Sequence, residues 1–221
     1  MEMCIAHCQA ARRGAPNTMI VGDMPFGSYQ VSVEEAVRNA VRFIKEGGVD
    51  AIKLEGGKSV VEKIRAIRDA GIVVCGHIGL TPQSSGALGG HKAQGRTPES
   101  ARAVIEDALA VEAAGANFIL VEAVPPEVTG FIARKLSIPV YSIGAGPDCD
   151  GQLTICADTI GMFQAFTPKF VKKYCNIAPI IVDGYKEYIK EIKEGVFPND
   201  DYVYHVIVDI APFEELFKEY E

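Results

Sequence analysis

The feature that most constrains the fold of this chain is a unit that repeats along it. Each unit has a short apolar segment, a polar turn and a helix-like segment closed by glycine. Segments that are apolar at every position are typical of strands buried on both faces, as in a parallel sheet covered by helices. The pattern therefore predicts an α/β fold with six parallel strands. The predicted strands are residues 18–21, 51–55, 72–78, 118–121, 138–143 and 153–157.

Local signals mark where the intervening helices begin. Ser32 and Glu35 have the spacing of a capping box, and so do Ser59 and Glu62. Thr97 followed by Pro98 supplies the capping hydroxyl and the first-turn proline of another helix. Two further helices are expected at 179–195 and 213–220. No linker or change of composition interrupts the chain, so we predict a single domain over residues 1–221.

Charge and hydropathy exclude several classes of function. With 22 basic and 29 acidic residues the net charge is −7, which argues against a nucleic-acid partner. No apolar run approaches the roughly 18 residues needed to span a membrane. The first residues lack the basic start and apolar core of a signal peptide, so we expect a cytoplasmic protein.

The six cysteines include no C-x-x-C pair and predict reduced, mostly buried thiols. Cys4, His7 and Cys8 have a helical spacing that could face one metal ion. Without a partner motif, we interpret this segment as an amphipathic helix instead.

Charged residues stand at the ends of the predicted strands. Lys53 and Glu55 lie two residues apart, so both side chains project from one face of their strand. Asp23, His77 and Glu122 occupy comparable positions on other strands. A (β/α)8 barrel carries its active site at the carboxyl ends of its strands, although this chain has six predicted strands rather than eight.

Each of these residues has a catalytic and a structural interpretation. Asp23 and Glu55 are hard oxygen ligands that suit Mg²⁺, although Asp23 could instead cap a turn. Lys53 could hold a substrate carboxylate or simply neutralise Glu55. Glu122 follows apolar residues, so its carboxylate is desolvated and suits a general base; the alternative is a buried cation that the sequence does not identify. His77 could contact substrate or be a hydrogen-bonded structural histidine.

The segment Gly144-Ala145-Gly146 resembles a phosphate loop only loosely. The third glycine of a dinucleotide fingerprint would fall on Cys149, so that motif is absent.

Seven segments, in order along the chain, resemble ketopantoate hydroxymethyltransferases, and the resemblance extends to about residue 198. They are GAPN at 14–17, DMPF at 23–26, KLEGG at 53–57, GHIGLTPQS at 76–84, GHKAQGR at 90–96, LVEAVP at 120–125 and IGAG at 143–146.

This resemblance implies a (β/α)8 TIM barrel of the phosphoenolpyruvate-mutase and isocitrate-lyase type, assembled as a homo-oligomer, commonly a decamer. It implies transfer of a hydroxymethyl group from 5,10-methylenetetrahydrofolate to 3-methyl-2-oxobutanoate, giving 2-dehydropantoate in pantothenate biosynthesis, with Mg²⁺ as cofactor. By position, Asp23 would contact Mg²⁺ and substrate, Lys53 the substrate carboxylate and Glu55 the metal. His77 would bind substrate, and Glu122 would be the catalytic base.

Two alternatives accompany this expectation. One is a Mg²⁺-dependent C–C lyase of the same superfamily, but such lyases carry a cysteine in a loop that corresponds to residues 84–96, where none occurs. The other is an inactive remnant of the family.

The chain also departs from the family pattern. Family members begin with two further strands, the second ending in a Val-Gly-Asp-Ser motif whose aspartate binds the metal. Here Gly22-Asp23 is followed by Met24 and matches a later aspartate of the family. We therefore expect a barrel without its first two strands and with impaired activity. The extension from about Asp200 carries no catalytic signal.

Overall fold

The computed structural model describes all 221 residues, which form two compact units. The first unit comprises Met1–Ile155 and Pro168–Val171, and the second comprises Cys156–Thr167 and Lys172–Glu221. The first unit has strands β1 Val21–Asp23, β2 Ala51–Glu55, β3 Val73–Gly79, β4 Phe118–Glu122, β5 Val140–Ile143 and β6 Gly151–Gln152. Its helices are α1 Glu2–Gly14, α2 Val33–Lys45, α3 Val61–Asp69, α4 Pro98–Ala114 and α5 Pro126–Lys135.

The six strands form one parallel sheet in the order of the chain, from β1 to β6. Each strand pairs with the next in sequence, and the order never reverses. A doubly wound sheet reverses its strand order at a switch point, whereas a barrel of βα units keeps it. The prediction of six parallel strands in an α/β fold is confirmed. The closed eight-stranded barrel and the single domain over 1–221 stay predictions.

The sheet has two different faces because side chains alternate along a strand. Ile52 and Leu54 are fully buried in the main core, which contains the apolar residues of α2, α3 and α4. The opposite face carries Lys53 and Glu55 and a smaller buried cluster that includes Leu120. The polar strand ends therefore lie on the face turned away from the main core.

Two of the predicted helix ends are stabilised by residues a few positions away in sequence, as expected. The Ser32 hydroxyl accepts a hydrogen bond from the Glu35 backbone N–H at 3.1 Å, which caps α2, but the Glu35 side chain does not complete the predicted capping box. Thr97 and Ser100 form a complete capping box at the start of α4, and Gly115 ends that helix in the left-handed conformation at φ 98°. Both ends are satisfied within a few residues, which is why the sequence predicts them.

The predicted capping box at Ser59 and Glu62 is wrong. A 3₁₀ turn, Lys58–Val60, precedes α3, and no side chain caps that helix. The reason is a long-range contact, since the Lys58 backbone N–H donates to the Asp107 carboxylate on α4 at 2.9 Å.

The position of the sixth strand is also wrong. Residues 151–152 form β6, whereas Cys156–Thr159 is a short helix, α6. The backbone N–H of Asp150 donates to the Val140 carbonyl and that of Leu153 to the Ser142 carbonyl. Pairing with β5 therefore uses the polar segment that precedes the apolar one.

The six cysteines are free, as predicted, but only Cys8 and Cys75 are buried. Cys156 and Cys175 are exposed, so the expectation of mostly buried thiols is wrong.

The second unit contains α6, α7 Ile177–Glu194 and α8 Ala211–Lys218. Helices α7 and α8 correspond to the two helices that the sequence predicts in this region, and all four of their ends lie within two residues of the predicted ends. No residue of α7 is buried. None of the helices is long and apolar enough to pass through a lipid bilayer.

Candidate active site

The carboxyl ends of β1 to β4 bring the five predicted site residues into one row. In the strand register Asp23 lies opposite Lys53, Glu55 opposite His77, and Gly79 opposite Glu122. Residues opposite each other on parallel strands share a face of the sheet. The row follows from the pairing of strands that are distant in sequence.

Lys53 lies at the centre of the row. Its Nζ atom is 2.8 Å from Asp23 Oδ1, 3.4 Å from His77 Nδ1 and 3.7 Å from Glu55 Oε1. The Glu55 side chain is only 5% exposed, whereas that of Asp23 is 60% exposed. Lys53 thus neutralises the buried carboxylate and reaches the exposed one at the open end of the row.

His77 supplies the partner of Glu122 that the sequence left unidentified. Its Nε2 atom is 3.2 Å from Glu122 Oε2, and its Nδ1 atom is 3.5 Å from Glu55 Oε1. The geometry at Nε2 does not complete a hydrogen bond, so this buried nitrogen has no hydrogen-bond partner. When His77 is protonated, its contact with Glu122 is an ion pair.

Burial and charge act in opposite directions on the pKa values here. Burial favours the neutral form of Glu55, but His77, the Gln83 backbone N–H and Lys53 outweigh it, so the pKa of Glu55 is lowered. Burial likewise opposes a charge on His77, yet the carboxylates of Glu122 and Glu55 raise its pKa. The arrangement favours an ionised Glu55 beside a protonated His77.

The raised pKa of His77 predicts that stability declines in alkaline solution. An unfolded histidine titrates near pH 6.5, so the folded protein retains this proton to a higher pH than the unfolded chain. The stabilisation from His77 is therefore complete below about pH 6.5 and is lost as pH rises through the folded pKa. Urea unfolding between about pH 6 and about pH 9 measures it. H77N should lack this decline, and an equal decline in both proteins would contradict the assignment.

Two residues that the sequence analysis missed hold Glu55 in place. The buried Tyr29 hydroxyl accepts a hydrogen bond from the Glu55 backbone N–H at 3.1 Å and donates to Gln83 Oε1 at 2.7 Å. The Gln83 backbone N–H donates to Glu55 Oε2 at 2.9 Å, and its side-chain amide donates to the Met24 carbonyl. Burial raises the pKa of Tyr29 to about 12, so the hydroxyl keeps its proton.

We expect Tyr29→Phe to fold but to loosen Glu55. The change leaves the Glu55 N–H without its acceptor and the Gln83 amide oxygen with only the longer contact from Gln30 Nε2 at 3.5 Å, which costs about 1–3 kcal/mol in a buried setting. Guanidinium unfolding measures the loss. In a double-mutant cycle with Gln83→Ala, the two losses should be less than additive because both variants break one network. Strict additivity would show that the residues act independently.

The donor set at this end of the sheet is compatible with a magnesium ion. No group of three histidine, cysteine, aspartate or glutamate side chains lies close enough to hold a metal ion by itself. Mg²⁺ does not require such a group, because it keeps several waters and often uses one or two carboxylates. Asp23 offers exposed carboxylate oxygens, and Glu55 contacts the same Lys53 ammonium group, so these two carboxylates are the oxygen donors available for such an ion.

The backbone immediately after Glu122 adopts an unusual conformation. Ala123 has φ 49°, and it is the sole non-glycine residue with a positive φ. Its N–H donates to the Ile143 carbonyl at 3.0 Å, and its carbonyl accepts from the Gln94 N–H at 2.9 Å. Strained backbone of this kind costs about 1–3 kcal/mol and persists where the surrounding structure imposes it, often at active sites.

Comparison with known proteins agrees with this site. A profile of the family described as ketopantoate hydroxymethyltransferase matches residues 1–200. The chain belongs to this family. The 3-methyl-2-oxobutanoate hydroxymethyltransferase of Alkaliphilus metalliredigens (strain QYMF) is 67% identical over 221 residues, covering all of this chain and 78% of the relative. The enzyme of the same name from Heliobacterium modesticaldum (strain ATCC 51547 / Ice1) is 49% identical, covering 91% of this chain and 73% of the relative.

The fold has a counterpart among solved structures. A Burkholderia cenocepacia J2315 protein provisionally named a phosphonomutase has a TM-score of 0.50 and 14% identity to this family member, covering 87% of this chain and 77% of that one. At this identity the likeness concerns the fold alone.

Proposed function

We propose that this protein transfers a hydroxymethyl group from 5,10-methylenetetrahydrofolate to 3-methyl-2-oxobutanoate, giving 2-dehydropantoate, a step of pantothenate biosynthesis. The observation that carries the proposal is the pairing of Glu122 with His77 beside Lys53 and Glu55. This row of charges lies in a chain whose relatives bear the name of that activity. The same relatives favour the transferase over a C–C lyase.

The chemistry requires a base, a group that binds the substrate carboxylate and a site for the developing negative charge. Glu122 takes the C3 proton of the 2-oxo acid, and the electron pair left behind becomes the enolate. C3 of the enolate bonds to the methylene carbon of the folate, and both C–N bonds of that carbon break. One water supplies the hydroxyl oxygen of the product, and the two nitrogens of tetrahydrofolate take up the C3 proton and the remaining proton of the water. His77 lies between Glu122 and Glu55 and, when protonated, forms an ion pair with the base.

Lys53 binds the substrate carboxylate in this scheme. Its ammonium group already contacts the exposed Asp23 carboxylate at 2.8 Å, so an anion can approach from the same open side. Asp23, released from Lys53 by the substrate carboxylate, would then be free to hold the metal ion. Lys53 also stabilises the oxyanion as it forms.

Mg²⁺ would be held by Asp23 and Glu55, and when bound it polarises the 2-oxo group of the substrate as a Lewis acid. The order of the strands supports a (β/α)8 barrel, and the family resemblance implies the phosphoenolpyruvate-mutase and isocitrate-lyase type. As expected for this family, we also propose that the protein assembles as a homo-oligomer and is located in the cytoplasm.

The test is product formation by the purified chain. Incubation with Mg²⁺, 3-methyl-2-oxobutanoate and methylenetetrahydrofolate should give 2-dehydropantoate, detected by mass spectrometry. Pyruvate, which lacks the branched C3, serves as the matched substrate and should react more slowly. Cleavage of a C–C bond in a 2-oxo acid without folate would favour the lyase, and no reaction with either would reject both enzymes.

A further inference from the structure

A cavity of about 480 Å³ lies at the carboxyl ends of β4 and β5, next to the row of charged residues. This volume falls within the range of roughly 300–1,000 Å³ that small-molecule sites occupy. It is lined by Ala93, Arg96, Ala123, Val124, Pro125, Pro126, Gly144, Lys169 and Phe170. None of these residues has a role in the scheme above.

One wall of the cavity is flat and apolar, and two glycines make it possible. A Cβ atom on Gly144 would overlap the Phe170 ring, and one on Gly146 would overlap Pro126. Both glycines also have positive φ values, of 64° and 93°, which side chains disfavour. The Gly-Ala-Gly segment therefore serves close packing of an aromatic ring and a proline rather than phosphate binding.

Two cations lie at the same cavity. The side chains of Arg96 and Lys169 are exposed, and neither makes a hydrogen bond or an ion pair. In a chain with a net charge of −7, two unpaired cations at one cavity favour an anionic ligand. Guanidinium and ammonium groups at a pocket rim suit carboxylates.

The cavity adjoins the proposed base through the backbone. Ala123, which lines it, directly follows Glu122 and adopts the strained conformation described above. The hydrogen bond from Gln94 N–H to the Ala123 carbonyl ties the loop that carries Arg96 to this point. The cavity therefore begins one residue beyond the proposed base.

We propose that this cavity binds the folate one-carbon donor. Its ring system lies on the wall formed by Pro125, Pro126 and Phe170, and its glutamate carboxylates pair with Arg96 and Lys169. This inference rests on the proposed function and adds the location of the second substrate. Such a ligand joins flat apolar rings to a carboxylate tail, which is the combination that the cavity offers. From there its methylene carbon faces C3 of the enolate next to Glu122.

The test separates the two substrates. Exchange of the C3 proton of 3-methyl-2-oxobutanoate in D₂O needs no folate, whereas product formation does. In Arg96→Ala/Lys169→Ala we expect the KM for methylenetetrahydrofolate to rise at least about tenfold, the effect of losing roughly 1.4 kcal/mol of charge-assisted contacts. At folate concentrations below the KM, the rate of product formation divided by the rate of C3 exchange should fall about tenfold in the same variant. Lys135→Ala, an exposed lysine on α5, is the matched control and should leave this ratio unchanged.

Equilibrium binding gives a second readout that does not depend on turnover. Calorimetry with tetrahydrofolate carrying one or three glutamates should show tighter binding of the longer tail, and the double variant should lose that preference. Phe170→Ala should weaken binding of both forms equally. An unchanged KM and unchanged calorimetric affinities in these variants would overturn the assignment of the cavity. If the parent chain binds tetrahydrofolate here but neither exchanges C3 nor forms product, the proposed function fails while the cavity assignment stands.

Discussion

Replacement of Glu122 by glutamine is expected to lower the rate of C3 proton exchange by about 100- to 10,000-fold, the usual contribution of a general base. The glutamine has nearly the shape of glutamate but cannot accept the C3 proton. His77 Nε2, 3.2 Å from the carboxylate, is buried and faces a neutral amide in the variant. NMR of 3-methyl-2-oxobutanoate with Mg²⁺ in D₂O measures the exchange directly, without folate.

Glu127→Gln provides the matched control for this experiment. Glu127 lies exposed in the first turn of α5, so the same change in charge and shape should leave exchange close to that of the parent. If E122Q exchanges at the parent rate while retaining its fold by circular dichroism, Glu122 is not the base. A fall of similar size in E127Q would point to a general electrostatic effect instead.

Replacement of Lys53 by methionine is expected to cause the largest loss of stability among single changes at the site. The Lys53 side chain is 15% exposed and that of Glu55 5%, so the variant leaves a buried carboxylate with one fewer cation. Removing one partner of a buried pair costs about 3–5 kcal/mol, and because His77 still faces Glu55 we expect the lower end, about 3 kcal/mol. Urea unfolding at neutral pH measures this difference.

Substrate binding should weaken in the same variant. Loss of a charged hydrogen bond to the substrate carboxylate is worth about 1.5–3 kcal/mol, or roughly a 10- to 150-fold rise in KM for 3-methyl-2-oxobutanoate. Lys58→Met is the control, since Lys58 forms an exposed ion pair with Glu106 that should matter little. The double variant K53M/E55Q should recover part of the stability but none of the substrate affinity. Full recovery of both would contradict a role for Lys53 in binding.

Much of the first unit is predictable because its signals are local. The strand 51–55 matches β2 residue for residue, and the Thr97 cap of α4 is satisfied by Ser100, three residues away. The gathering of charged residues at strand ends is also predictable, because the carboxyl ends of parallel strands share one edge. The identity of the family follows from motifs that the sequence carries intact.

The errors occur where distant residues decide the local structure. Asp107, almost fifty residues from Lys58, replaces the predicted capping box with a 3₁₀ turn. The Tyr29 and Gln83 network joins loops that are far apart in the chain, and neither residue belongs to a charged motif. Composition and periodicity report on apolar burial, so a polar network between loops leaves no pattern in them.

The sequence by itself determined that Lys53 and Glu55 share a face, since side chains alternate along a strand. It also determined which residue types stand at the strand ends. Only the tertiary structure decided their partners: Lys53 with Asp23, Glu55 with His77 and His77 with Glu122. Those pairs depend on the register between strands, which hydrogen bonds and packing across the sheet fix together.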